Sequence, residues 1–384
     1  MIKTKRKSLC NGCGACYSSC PKNCIIMKED EEGFLYPFID NEKCVDCRLC
    51  EKICPVLKNK SVVSNPVAYA VFNNDLKIRE NSSSGGVFSL IAENIINKNG
   101  VVFGARYNAS ENNVVHTYVE TIEELAKLRG SKYFQSRLEN SFVSAKEFLE
   151  ADRYVLFSGT PCQISGLKAF LNKEYDKLYT QDIICHGVPS KMVWQKYVDF
   201  CCDGNQKKIE EVFFRNKDNG WNNYNLKISF TNGEIKKECF KNNLFMKSFL
   251  SNVCLRPSCY ACVNKTINRQ SDFTLADYWG VKNVHPQFND DKGVSLCVLH
   301  TKKGMGLFEE ISQKTTFLKT DLDSAIKHNS SMIKSVALPK KRKFFFENIN
   351  KLSFDVLVKK SCNVSLFQKS LRFCKRVVKK LIKK

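Results

Sequence analysis

Four cysteines and a trailing proline, repeated once, constrain this chain more than any other feature. Cys10, Cys13, Cys16 and Cys20 precede Pro21, and Cys44, Cys47, Cys50 and Cys54 precede Pro55. Both stretches read C-x2-C-x2-C-x3-C-P, and every matching position differs by 34 residues. The rhythm is that of the bacterial two-cluster ferredoxin, in which the fourth cysteine of each motif ligates the other cluster. The spacing therefore assigns Cys10, Cys13, Cys16 and Cys54 to one 4Fe–4S cluster, and Cys44, Cys47, Cys50 and Cys20 to a second. Structural zinc sites use two separated C-x2-C pairs and have no need of a third cysteine at the next step. Disulfides between cysteines this close would be strained. Cys24, just past the first motif, reads as a spare thiol.

The 384 residues are enough for two or three domains. Residues 1–58 form the dicluster ferredoxin domain, with a hairpin between the motifs, and 59–66 a polar linker. From Pro66 strands alternate with helices: strands near 67–72, 101–107, 114–120, 154–157 and 177–184, helices near 87–98, 121–128, 138–150 and 163–172. This alternation predicts a mixed α/β core, with residues 66–150 and 151–320 as its two parts. A β-rich stretch follows near 209–239, then strands near 273–279 and 294–300 and a helix at 303–313. The fold class is α+β or α/β: a small ferredoxin domain, a mixed α/β core and a helical basic tail at 321–384.

Twenty cysteines in such spacing suit metal binding in a reducing cytoplasm better than a secreted disulfide scaffold. The basic start runs straight into a cluster motif, which argues against a signal peptide, and no run of 18 apolar residues predicts a membrane span. The formal charge is +22, of which residues 339–384 carry +13. The mildly basic remainder suits acidic redox partners such as ferredoxins or flavodoxins. In the tail, Phe367, Leu371, Cys374, Val378, Leu381 and Ile382 fall at helical spacing among Lys and Arg. That predicts a basic amphipathic helix that rests on an anionic membrane surface, or docks on the body or a partner. No reading module for nucleic acid accompanies the charge.

A third cysteine group, Cys254, Cys259 and Cys262, lies on a proline-containing loop. Three thiols in nine residues predict a third 4Fe–4S cluster, with zinc or free core thiols as alternatives. The fourth ligand is Cys162 or Cys185, each at a strand end. Ser82 to Gly86 lies between a strand and a helix, where paired glycines let backbone N–H groups approach a ligand; an ordinary helix cap is the plainer account. Gly159 to Gln163 is a second loop of this kind. Lys132, in Gly130 to Tyr133, is a cation suited to a phosphate, or only a solvated lysine. His186 is a candidate acid or base, and Asp277, at a strand end, a candidate to orient a ligand. Arg215, Gly220 and Trp221 could wall a pocket.

Together these fragments resemble the family of coenzyme F(420) (deazaflavin) hydrogenase/dehydrogenase beta subunits, in a form fused to a two-cluster ferredoxin. The resemblance rests on SSSGG at 82–86, GSKY at 130–133, GTPCQ at 159–163, CHGVPS at 185–190, FRNKDNGW at 214–221, C-x4-C-x2-C at 254–262 and DFTLADYWG at 272–280. It covers roughly residues 1–310. It implies an iron–sulfur flavoprotein oxidoreductase that binds FAD, with Ser83, Ser84, Gly85, Gly86 and Lys132 holding the flavin and Gly159 and Thr160 beside it. It also implies a cluster in the core, and electron exchange between a ferredoxin-type partner and an organic acceptor. The chain looks most like stand-alone bacterial members associated with polysaccharide biosynthesis. The rival readings are an electron-carrier protein without its own substrate, and a structural iron–sulfur partner in a glycan-assembly complex.

Overall fold

The computed structural model describes residues 7–58, 64–202 and 207–362. The first unit repeats at the level of the backbone. Short helices Ala15–Ser18 and Leu49–Lys52 occupy equivalent places in the two motifs. Gly12 and Gly14 take left-handed conformations, and so do their counterparts Asp46 and Arg48. Each cysteine loop thus turns twice in the same sense, by glycine in one copy and by strained non-glycine residues in the other. Strands β1 (Ile25–Glu29) and β2 (Leu35–Ile39) pair antiparallel between the motifs, Met27 opposite Pro37.

The second unit is built on eight strands of a mixed sheet. In chain order they are β3 (Val67–Asn73), β4 (Val101–Asn108), β5 (Asn113–Val119), β6 (Val155–Ser158) and β7 (Leu178–Ile183). After β8 (Ile209–Asn216), β9 (Asn225–Phe230) and β10 (Ile235–Cys239), which form their own antiparallel sheet, come β11 (Phe273–Asp277), β12 (Ser295–Leu299) and β13 (Thr315–Thr320). The large sheet runs β13-β3-β12-β11-β7-β6-β4-β5. Its centre, β4, β6, β7 and β11, is parallel, and the flanking strands are antiparallel. The carboxyl ends of the parallel strands therefore open on one side, where loops in such sheets bind ligands.

Period-two alternation sets the two faces. Val102 and Leu156 face a layer containing Leu90, Ile91 and Leu307, from helices Val87–Asn97 and Lys302–Ser312. Phe103 and Phe157 face the opposite layer with Phe142, Ala145, Ile164 and Leu167, from helices Ser141–Glu150 and Pro161–Leu171. Gly85, just before helix Val87–Asn97, packs against β3 and β12: a Cβ there would lie 2.4 Å from the Val71 carbonyl oxygen and 2.7 Å from Ser295 N. The small sheet packs on helices Lys191–Cys201 and Leu244–Leu250 around Trp194.

Two expectations need correction. Residues 121–128 form only one 3₁₀ turn, Glu124–Lys127, because Leu125 alone of its side chains is fully buried. Nor is 321–362 a separate tail. Helices Leu322–His328, Arg342–Asn348 and Phe354–Cys362 fold back on the body, and Phe345, Leu357 and Val358 join the Trp194 core. Phe345, just past the basic run at 340–343, thus serves burial. Residues 367–382, the proposed amphipathic helix, lie outside the described residues. Among the described residues no helix is long and apolar enough to cross a membrane.

The ferredoxin-like unit is seated on the core. Gly166, on helix Pro161–Leu171, lies against Cys13, where a Cβ would be 2.9 Å from the Cys13 carbonyl oxygen. Ser190 Oγ donates to Glu32 O. Arg342 makes a two-pronged ion pair with Glu32, Nη1 donating to Oε1 at 2.8 Å.

Candidate functional site

Three groups of thiols converge among the described residues. Cys13 and Cys16 each lie in the electrostatic field of Cys10 and Cys54, the last contributed by the second motif. Burial raises both thiols, Cys13 to about 12. The second group surrounds a small hollow lined by Cys20, Cys24, Cys44, Cys47 and Cys50. Cys24 is no remote spare: its sulfur stands 3.3 Å from that of Cys20. The crossing of Cys20 and Cys54 between motifs follows from the hairpin, which folds the two halves face to face.

The third group differs from the sequence expectation. Cys162, Cys185, Cys259 and Cys262 line one cavity. Cys162 lies in the field of Cys262 and Cys185, and Cys259 in that of Cys185 and Cys262. Both candidate strand-end thiols are present. Cys254 is not: it is fully buried among apolar side chains of the Trp194 core, where its thiol donates weakly to Ser248 Oγ at 3.8 Å. The physical reason is local. The Cys254 carbonyl accepts from Ser190 N, and Leu255 bridges Pro189, so this stretch runs extended. The 3₁₀ turn Pro257–Ala261 then carries Cys259 and Cys262 to the cavity.

The cavity of the third group suits an anionic cluster. Arg256, Lys265 and Arg269 line it, and no carboxylate among the described residues does. Burial raises the Cys162, Cys185 and Cys259 thiols. Cationic neighbours oppose that rise, Lys265 and Arg269 at Cys185 and Arg256 at Cys259. Among the described residues no three His, Cys, Asp or Glu side chains close on a single metal ion. The thiols stand around a volume, as ligands at the corners of a cluster do.

A much larger cavity, about 610 Å³, opens beside the ends of β6, β7 and β11. Ser83, Ser84, Gly86, Lys132, Gly159 and Thr160 line it, as do His186 and Asp277. Gly85 does not; its lack of a side chain serves the close approach to β3 and β12. The serines are already engaged: Ser83 Oγ accepts from Ser131 N at 2.8 Å, and Ser84 Oγ donates to Val294 O at 2.8 Å. Ser83 thus ties the SSSGG loop to the GSKY loop. Behind it, Lys217 Nζ donates to Ser84 O at 3.0 Å and to Arg79 O and Lys292 O, both at 2.6 Å. Thr160 caps helix Pro161–Leu171 in a reciprocal pair with Gln163.

Lys132 reaches Leu128 O and Arg129 O, each at 2.9 Å. Burial, reinforced by Arg129, pushes its ammonium down to about 7. Asp277 is held on three sides. Its Oδ2 accepts from Arg215 Nη1 at 2.7 Å, and its Oδ1 from Arg215 Nη2 at 3.0 Å and Trp221 Nε1 at 2.6 Å. Burial opposes the Arg215 cation, but Asp277 more than offsets this. Trp221 stacks on Trp279, centroids 5.0 Å apart. Asp277 is therefore a strut for the cavity wall. His186 lines both the large cavity and the thiol cavity; its Nε2 contacts Asn252 Oδ1 at 2.6 Å, and burial lowers its basicity.

Sequence reasoning passed over His116, Gln135 and Ser136. His116 Nε2 contacts Ser158 O at 2.8 Å and its Nδ1 contacts Ser136 Oγ at 2.8 Å. A carbonyl only accepts, so Nε2 carries the proton and Ser136 donates to Nδ1. Burial lowers His116 to about 4, and it stays neutral near pH 7. A lone histidine in an alternating strand carries no signal of this in sequence.

Residues 152–325 match the family model for the C terminus of the coenzyme F420 hydrogenase/dehydrogenase beta subunit. Residues 9–57 match that for a 4Fe–4S dicluster domain. An uncharacterized ferredoxin of Methanocaldococcus jannaschii is 46% identical over 46 residues, 12% of this chain and 58% of that protein. One subunit of the F(420)H(2) dehydrogenase of Methanosarcina mazei is 23% identical over 185 residues, 44% of this chain and 51% of that protein. The chain thus spans little more than half the length of these curated relatives. A chain of the F420-reducing NiFe hydrogenase complex from Methanosarcina barkeri matches with a TM-score of 0.47 and 16% identity, over 75% of this chain and 92% of that one.

The class these matches define is a chain with a 4Fe–4S dicluster domain that is related to oxidoreductase subunits. More narrowly, residues 152–325 are similar to the C-terminal region of coenzyme F420 hydrogenase/dehydrogenase beta subunits, and residues 9–57 to a 4Fe–4S dicluster domain.

Proposed function

We propose that this protein is an iron–sulfur flavoprotein oxidoreductase. In this reading Cys10, Cys13, Cys16 and Cys54 hold one 4Fe–4S cluster, and Cys20, Cys44, Cys47 and Cys50 a second. Cys162, Cys185, Cys259 and Cys262 hold a third, and FAD occupies the large cavity. The observation that carries it is a shared wall: Cys185, His186, Gly187 and Val188 line both the thiol cavity and the large one. A bound flavin would supply the exchange between single electrons and a hydride or electron pair. The chain's own part is placement. The outer module meets a ferredoxin- or flavodoxin-type partner through the side bearing exposed Cys47. Gly86 and the N-terminus of helix Val87–Asn97, with Lys132, give an anionic ligand its partners. His186 stands where a proton could be exchanged with an organic acceptor.

Anaerobic purification with iron, sulfide and flavin measured together tests the reading. About twelve irons per chain and one flavin are expected, four for each cluster. Twelve irons without flavin, even after incubation with FAD, would instead make the chain an electron carrier without a substrate of its own.

Lys132 adds a pH dependence. Its ammonium is charged below about 7 and loses its proton above. An anionic ligand needs the charged form, so binding takes up a proton near neutrality and weakens as the pH rises. The dissociation constant for FAD, read by flavin fluorescence, is expected to rise above pH 7 by up to about tenfold per unit. Lys132→Gln should bind more weakly at pH 6 and show a flat profile.

A further inference from the structure

Arg256 is fully buried, yet none of its hydrogen-bond partners is a carboxylate. Its Nε donates to Cys10 O at 2.8 Å, Nη2 to Leu35 O at 2.8 Å, and Nη1 to Gln135 Oε1 at 3.0 Å. Nη2 also lies 3.8 Å from Cys10 Sγ, and the guanidinium covers the Tyr36 ring at 4.3 Å. Gly12 makes the approach possible: a Cβ there would sit 2.9 Å from the guanidinium carbon. Arg256 also lines the thiol cavity of the core, and Gln135 lines the large cavity. A single cation therefore contacts Cys10 of the first thiol group and lines the cavity of the third, where its charge is felt at Cys259. A buried guanidinium held only by neutral groups calls for an anion nearby, and a thiolate-ligated cluster on either side is one.

We propose that Arg256 is a counter-charge shared by the clusters of Cys10/Cys13/Cys16/Cys54 and Cys162/Cys185/Cys259/Cys262. It raises their reduction potentials above that of the outer cluster, so that electrons entering at the module's surface run inward. The inference rests on the three-cluster reading above. Reduction adds negative charge to a cluster, and a buried cation favours that state strongly where the surroundings are of low dielectric. Around the outer group the nearby charges Lys22, Asp46 and Arg48 are of mixed sign and exposed, so that water and salt screen them. Each transfer moves one electron, oxidising the outer cluster and reducing the inner one, with no bond made or broken; a one-electron reductant supplies the first. Arg256 is a positioning residue as well, since it ties Cys10 and Leu35 to the core.

The test is a potentiometric titration of the full chain, purified anaerobically and reduced stepwise with dithionite. The cluster signals are followed by electron paramagnetic resonance, with iron content measured in parallel. In the parent protein the core signal should appear first and the outer one last. Arg256→Gln should lower the midpoints of the two inner clusters and leave the outer one in place, while Arg256→Lys stays nearer the parent. Should Arg256→Gln release the module, Gln135→Glu sets a carboxylate against the same guanidinium and should lower the same two midpoints. Unmoved midpoints with full iron content, or an equal shift of all three, would overturn the proposal. Failure of the three-cluster reading shows separately, as about eight irons in the parent protein with the midpoint of the Cys10 cluster still open to measurement.

Discussion

Cys259→Ala, purified anaerobically, is expected to hold about eight irons per chain where the parent holds about twelve. Cys254→Ala is expected to hold all of them. The contrast is sharp because the two thiols are five residues apart and equally suggestive in sequence. Cys259 faces Cys162, Cys185 and Cys262 across one cavity, and Cys254 faces Ser248 among apolar side chains. Among the described residues, a cluster with one of four ligands removed to a methyl group has no free thiol nearby to recruit, since Cys254 points into a different core and the neighbouring Cys13 belongs to the first group. Its loss would leave the dicluster domain intact, so the iron–sulfur part of the visible absorption should fall by about a third rather than vanish. Iron loss in both variants would return the third site to the spacing-based ligand set of Cys254, Cys259 and Cys262.

The second large effect concerns the wall of the big cavity. Asp277→Ala should destabilise the fold by about 3–5 kcal/mol, measured as a lower denaturant midpoint. It leaves the Arg215 guanidinium, only 3% exposed, without its counter-charge, and leaves Trp221 Nε1 without an acceptor. Asp277→Asn should fall between, because its carbonyl oxygen still accepts while its amide faces a cation. A catalytic carboxylate would behave otherwise, with stability kept and turnover lost in the asparagine variant. Equal midpoints for parent and alanine variants would remove Asp277 from its role as a strut. The stacked Trp221 and Trp279 rings depend on the same contact, so tryptophan fluorescence should report the change before unfolding begins.

What could be read in the chain follows a physical divide. The cysteine repeat was legible because a cluster fixes both ligand type and spacing within one short loop. The parallel strands were legible because runs such as Val101 to Phe103 and Val155 to Phe157 are buried on both faces. The loops at their carboxyl ends were then natural places to seek a ligand. Which thiols of the third group converge was not legible, since it depends on how a 3₁₀ turn swings the chain between two cores. Gly85 shows the same limit: a glycine in a serine-rich loop suggests ligand approach, whereas its role is to let β3 and β12 close behind the loop. Helix Lys191–Cys201 carries a readable pattern at Val193, Trp194, Tyr197, Val198 and Cys201. Arg256, by contrast, looks like any loop arginine until its burial is known.

The ion pair between Glu32 and Arg342 joins residues 310 positions apart. A ribosome makes Arg342 only 310 residues after Glu32, so this clasp stays open while all of the core between them is synthesised. Closing so long a loop costs only slightly more entropy than closing a moderate one, but it cannot happen before both ends exist. The dicluster unit thus gains its last fastening only after the core is made, and that contact comes from the helices that follow the core.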